Sequence, residues 1–221
     1  MSTSDLNGQD LITKFELQVN DLTELSTQEE LDLLNDKYQD VCSERPWEFL
    51  KKKATGALSY DSTAGMWYIT KPTDFSMFAE NANYTDNTMQ YQNNAAPKVI
   101  FIGTNYAPYQ IVNFSDRQQY RNTNSYCYLD LEAGKIYFTQ TPSDTSFYQF
   151  DYIKVPDDLT LATTPLFPNR FRKMLYFAMA TDNEILQLSP KAQSYAAENL
   201  AKYQNVMDLM EYWNDNLALN N

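Results

Sequence analysis

The sequence predicts an α+β protein: an N-terminal helix plus two C-terminal helices forming a bundle, with a central β-rich insertion domain. Three observations carry that expectation. Apolar residues recur at spacings of three and four after Ser26 and again from about residue 169 onward. Between about residues 55 and 155 the period drops to two, with β-branched and aromatic residues in the majority. Pro and Ser mark the helical restarts at Pro46 and Ser189-Pro190. The expected organisation is 1–54 as a helical segment, 55–160 as the β-rich insertion and 161–221 as a helical hairpin with a docking tail. The helical parts are expected to pack as one domain.

The first helix is the easiest element to read. Ser26 and Glu29 form a capping box, in which the hydroxyl accepts from a free backbone N–H and the carboxylate reaches back to the N-cap amide. Leu31, Leu34, Tyr38 and Val41 then share one face, and Asp32, Asp36, Lys37 and Asp40 fall outside it. Pro46 disfavours helical geometry at Arg45, so the helix ends there. A second short helix over 46–53 is expected, with Lys51, Lys52 and Lys53 at its negative end.

In the middle section 66–70, 98–102, 108–112, 126–131, 135–139 and 147–155 read as strands. Glu132-Ala133-Gly134 predicts a tight turn joining the 126–131 and 135–139 pair. The run from Asn81 to Asn94 is rich in Asn, Gln and Tyr and reads as a long loop, suited either to solvent or to protein contact. The C-terminal part predicts one helix from about Asn169 to Leu188, with Phe171, Met174, Leu175, Ala178 and Ile185 on its apolar face. Ser189-Pro190 caps and starts the next, in which Ala192, Ala196, Asn199, Tyr203, Val206, Met210, Trp213 and Leu217 follow a heptad seam. Tyr212, Trp213, Leu217 and Leu219 run beyond the reach of two shorter helices, which marks the last turns as a docking segment.

Composition limits function. The net charge of −12 disfavours a sequence-specific duplex binder, whose affinity rests on Lys and Arg neutralising phosphates. Without any histidine, the Ser-His-Asp and Cys-His machineries and imidazole metal sites are excluded. Cys42 and Cys127 have no motif spacing and read as separate buried thiols. Five glycines supply no phosphate-cradling loop, and beyond a carboxylate-held magnesium ion no cofactor and no metal are expected. Carboxylate chemistry is what remains, at Asp157–Asp158, Glu29–Glu30 or Asp130–Glu132, and each pair reads more simply as a solvated loop or helix start. No apolar run is long enough to span a membrane, and the N-terminus lacks the pattern of a signal peptide, so no membrane partner is expected.

The strings ELSTQEELDLLNDKY, RPWEFL, DLEAGKIYFTQTP, DYIKVPDDLT, TPLFP and SPKAQSYAAENLAKY, in that order, resemble head–tail adaptor (connector or neck) proteins of tailed bacteriophages over roughly residues 15–215. The resemblance implies a non-enzymatic virion protein, assembled in the host cytoplasm into a ring of about twelve copies. Such a ring would join the portal protein to a tail or nozzle protein and line the channel through which DNA passes without sequence-specific binding. Carried over by position, Arg45, Pro46 and Trp47 become a structural anchor, and Tyr212, Trp213, Leu217 and Leu219 portal contacts. Tyr84, Tyr91, Glu132 and Lys135 become contacts with the tail or with neighbouring copies. The alternatives are another tail, neck or baseplate subunit, or a virion-associated carboxylate glycan hydrolase.

Overall fold

The computed structural model describes residues 5–19, 25–79 and 98–218. It is α+β, and it divides into two compact units: residues 1–50 with 156–221, which hold the helices, and residues 51–155, which hold the sheet. The sheet unit is therefore inserted between the second and third helices of the chain.

Five α-helices are described, two before the sheet and three after it. Helix α1 (Gly8–Val19) was not foreseen in the sequence. Asn7 and Asp10 cap it reciprocally, the Asn7 side chain accepting from Asp10 N at 2.9 Å and Asp10 from Asn7 N at 3.3 Å. It buries Leu11, Ile12, Phe15 and Val19. Its entry is fixed by backbone bonds from Gly8 N to the Thr163 carbonyl and from Gln9 N to the Leu161 carbonyl, both 2.9 Å. A Cβ on Gly8 would run into the Thr160 carbonyl oxygen. Helix α2 (Thr27–Ser43) begins with the foreseen box: Ser26 N donates to Glu29 Oε2 at 2.7 Å and Glu29 N to Ser26 Oγ at 3.3 Å. Leu34, Tyr38, Val41 and Cys42 are its buried residues among the hydrophobics.

The expected helix over 46–53 is not there. A single 3-10 turn, Glu48–Leu50, follows Pro46, and Lys51–Gly56 is strand β1. The lysines therefore do not cap a helix end. They lie in register with Ile153, Tyr152 and Asp151 of a neighbouring strand, on an edge of the sheet where charge discourages pairing with another chain.

The nine described strands form one mixed sheet. Besides β1 they are β2 (Ser59–Asp61), β3 (Met66–Thr70), β4 (Phe75–Phe78), β5 (Val99–Ile102), β6 (Ala107–Val112), β7 (Tyr126–Asp130), β8 (Lys135–Phe138) and β9 (Tyr148–Lys154). The order is β1-β9-β5-β6-β7-β8-β3-β2, and β4 also pairs with β9. All pairings are antiparallel except β6 with β7. The foreseen hairpin joins β7 to β8 with Asp130 opposite Lys135, and Gly134 takes the left-handed conformation at φ 62°. The core of this unit gathers Ile69, Phe78, Ile100, Cys127, Ile136, Phe138 and Phe150.

The helix expected over 169–188 is two helices. Helix α3 (Asn169–Met179) ends at Ala180, and α4 (Asn183–Leu188) starts afresh with Asp182 as N-cap, accepting from Glu184 N at 2.9 Å. Asp182 also pairs with Lys37 of α2 at 2.8 Å. Helix α5 (Pro190–Ala218) follows from Ser189, whose hydroxyl accepts from Ala192 N at 3.0 Å and donates to the Val19 carbonyl at 2.7 Å. Helix α3 lies against α1, α2 and α5.

Candidate functional site

The corner after α2 is built around Trp47. Its side chain is fully buried, Nε1 donates to the Val41 carbonyl at 2.7 Å, and Phe49 stacks on the indole at 5.6 Å. The Arg45 guanidinium lies 5.4 Å over the indole and bonds Asp215 at 2.6 Å, with Glu211 at 3.5 Å. Glu48 N donates to the Asn214 side chain at 2.8 Å. Pro46 is exposed and contributes only its backbone geometry. One end of α5 is thus clipped to residues 45–48. Asn214 and Asp215 were missed in the sequence because they stand one and two positions past the seam residue Trp213, where a helix is expected to face solvent.

The foreseen docking residues divide. Tyr212 is 71 % exposed, a large ring with little intramolecular cover. Trp213 packs on Phe171 at 5.5 Å, with Arg170 5.8 Å above its ring, and Leu217 is half-buried. Leu219 lies outside the described residues, as do Tyr84 and Tyr91 of the Asn-rich run.

On the sheet unit, Glu132 is exposed in the β7–β8 turn. Lys135 is committed within the sheet: Nζ bonds Asp61 at 2.6 Å and lies 4.3 Å from the Tyr68 ring centre. Asp61 also accepts from Tyr137 Oη at 2.9 Å and from Thr63 and Ala64 N. These donors, Lys135 foremost, hold its carboxyl well below the usual carboxylate range.

Members of the candidate carboxylate pairs are engaged in local structure. Glu29 is occupied in the capping box, which lowers its pKa, while its neighbour Glu30 is buried. Asp158 accepts from Gln39 at 3.0 Å, and Asp130 from Ala133 N at 3.0 Å. Cys42 and Cys127 are both buried and unbridged, and burial pushes the Cys127 thiol up. Among the described residues no cluster of three or more His, Cys, Asp or Glu side chains has the makings of a metal site. No helix there is long and apolar enough to cross a membrane.

Charge is unevenly divided. The helical unit holds 20 carboxylates against 8 Lys and Arg, and the sheet unit 9 against 9, so the whole net charge of −12 belongs to the helical unit.

The chain is a helical unit interrupted by a mixed sheet, with a corner clipped to the end of α5. The SU10 adaptor protein family model matches residues 6–218, and the chain belongs to that family. It is therefore a structural adaptor of a bacteriophage virion. No curated protein matches it.

Proposed function

We propose that this chain is the subunit of a head–tail adaptor ring, which joins the portal to the tail or nozzle and surrounds the channel through which DNA leaves. The observation that carries the reading is the family match across residues 6–218, which takes in both units and all five helices. In this reading the helical parts act together as a bundle forming the ring wall. Arg45, Pro46 and Trp47 are the anchor that sets the end of α5. Tyr212, Trp213, Leu217 and Leu219 are the portal contacts, and Glu132, Lys135, Tyr84 and Tyr91 the contacts with the tail or a neighbouring copy.

The acidic helical unit supports the channel role. A wall of carboxylates repels the DNA backbone and keeps it from adhering during exit. A ring needs two different complementary faces on each subunit, because its contact is head-to-tail and closes by rotation. A twelvefold ring follows the family plan.

Labelling the chain in intact particles tests the reading. A label at the junction of head and tail, in a closed ring, is the expected result. A label at the tail tip or baseplate replaces it with the role of a tail subunit.

A further inference from the structure

Parallel neighbours cannot be joined by a tight hairpin, so the chain between β6 and β7 makes a long crossover. Residues 113–125 form it, beginning with the 3-10 turn Phe114–Asp116. The crossover is tied down from the sheet side. Thr139 Oγ1 bonds the carbonyls of Thr123 at 2.7 Å and Tyr126 at 3.0 Å, and the Gln140 amide bonds the Asn122 carbonyl. Tyr120 packs on Tyr126 with ring centres 4.5 Å apart.

Together with the 62–65 turn, this crossover bounds an open hollow of about 380 Å³ lined by Gly65, Arg117, Gln118, Arg121, Asn122 and Tyr128, among others. Arg117 is preset: Nη1 donates to the Phe114 carbonyl at 2.6 Å, and the guanidinium lies 3.7 Å from the Phe114 ring centre. That leaves most of its donors unused. Neither Arg117 nor Arg121 forms an ion pair among the described residues, although Lys52 and Lys135 of the same unit do. Two guanidiniums facing one polar hollow suit carboxylates or phosphates.

The helical unit presents a match. Asp32, Asp36, Asp40 and Glu44 follow at steps of four along α2 and its C-cap, and all four are exposed. Gln28 donates to the Asp32 carboxylate at 2.7 Å and Tyr203 lies near Asp40 and Glu44, but none of the four carboxylates meets a cation among the described residues. Like charges at this spacing repel, and Asp40 and Glu44 also sit at the negative end of the helix dipole. The isolated chain therefore bears an electrostatic cost at this stripe that a cationic partner removes.

We infer that the Arg117–Arg121 hollow of one copy receives the α2 acidic stripe of a second copy, centred on Asp36 and Asp40. Resting on the adaptor-ring reading, this names the two unlike faces that head-to-tail closure requires. The observations favour a carboxylate occupant over DNA phosphates. Backbone binding draws on many cations at once, and the sheet unit as a whole is neutral.

Charge reversal in the full-length chain tests the pairing. One variant carries Arg117→Glu with Arg121→Glu, the other Asp36→Arg with Asp40→Arg, and pairwise affinities are measured at about 0.15 M salt, where the screening length is about 8 Å. The expected result is that the two variants bind each other at least about tenfold more tightly than either binds itself. Net charge alone ranks self-pairing of the Asp→Arg variant first, since that chain is the least acidic, and that ranking overturns the proposal. So does equal affinity in all three pairings, and so does binding of a single-stranded oligonucleotide by the unaltered chain that only the Arg→Glu variant loses. Should a reversal fail to fold, Arg117→Gln/Arg121→Gln and Asp36→Asn/Asp40→Asn replace it. Non-additive losses of self-association in their double-mutant cycle then support the pairing, and additive losses overturn it. These affinities stand apart from the labelling result: a ring at the neck with no pairing preference sinks this contact alone.

Discussion

Trp47 shows how much one residue can decide. The preceding Pro46 ends the helical run, and the indole then fills the corner with its N–H satisfied by the Val41 carbonyl. Truncation leaves a cavity and an unpaired carbonyl, so Trp47→Ala should cost about 3–5 kcal/mol of unfolding free energy, read by denaturant titration. The Arg45–Asp215 pair beside it is partly exposed, and surface pairs of that kind contribute about 0–1 kcal/mol, so Arg45→Ala should be far milder. Asp144 is the residue to watch on acidification. It accepts from Ser146 Oγ at 2.6 Å, from Ser146 N at 2.9 Å and from Thr104 N at 3.0 Å. These bonds, the Ser146 hydroxyl first, lower its pKa to about 2 from an ordinary 3.8. A depressed carboxylate stabilises the fold fully above its unfolded pKa and loses that contribution as pH falls through the folded value. The Asp144 contribution should therefore vanish between about pH 4 and pH 2, and Asp144→Asn should flatten the stability profile over that window. An Asp144 carboxyl titrating near 3.8 in NMR would refute it.

At the scale of elements, Asn199 is the anomaly of α5. It stands in the heptad seam at 1 % exposure, and neither its Nδ2 nor its Oδ1 finds a hydrogen-bond partner among the described residues. An unsatisfied buried amide costs about 1–3 kcal/mol, so Asn199→Leu should stabilise the helical unit by an amount in the lower part of that range, read as a raised melting temperature. An unchanged or lowered melting temperature shows that the amide is satisfied in solution. The same seam explains what the sequence disclosed. Elements with a strong period and a local cap, α2 and α5, were legible to within a residue or two, because their determinants lie within their own span. Helix α1 was missed although it carries its own Asn7–Asp10 cap and apolar face, whereas the missed strands depend on partners elsewhere in the chain. Strand β1 contains Lys-Lys-Lys-Ala-Thr-Gly, which has no alternation of its own and is a strand only because it pairs with β9. Strand β4 hides its period behind a register shift between Phe75 and Met77. The α3–α4 break has a local signal in the Asp182 cap, which the continuing apolar face of 171–185 masked, and Lys37 pairs with that same Asp182 from 145 residues away. In the candidate site Tyr212 and the 132–134 turn were visible as exposed polar or aromatic positions. The clip from Asn214 and Asp215 to residues 45–48 and the hollow bounded by the β6–β7 crossover and the 62–65 turn exist only once the chain is folded.

The whole molecule is governed by where its charge sits. An excess of 12 carboxylates lies in the helical unit, and α2 adds like charges at helical spacing with no cation to meet them among the described residues. At about 10 mM salt the screening length is about 30 Å, longer than the distance over which two subunits must approach, so copies repel before short-range contacts form. At about 0.15 M it falls to about 8 Å, and a contact between opposite charges can be reached. Even so, each contact must offset the lost freedom of the free subunit, and in the proposed adaptor role a portal ring with several docking points would lower that cost by raising the effective concentration of neighbours. The purified chain should therefore be monomeric at low salt, pair only weakly at moderate salt, and close into a ring when portal is added, with light scattering following the rise in mass. Tyr212→Ala should reduce that assembly without lowering the melting temperature, since the ring is exposed and its loss opens no cavity. A stable ring at low salt in the absence of portal would show that contacts between copies outweigh their repulsion unaided, and that outcome contradicts the order of assembly argued from the charge.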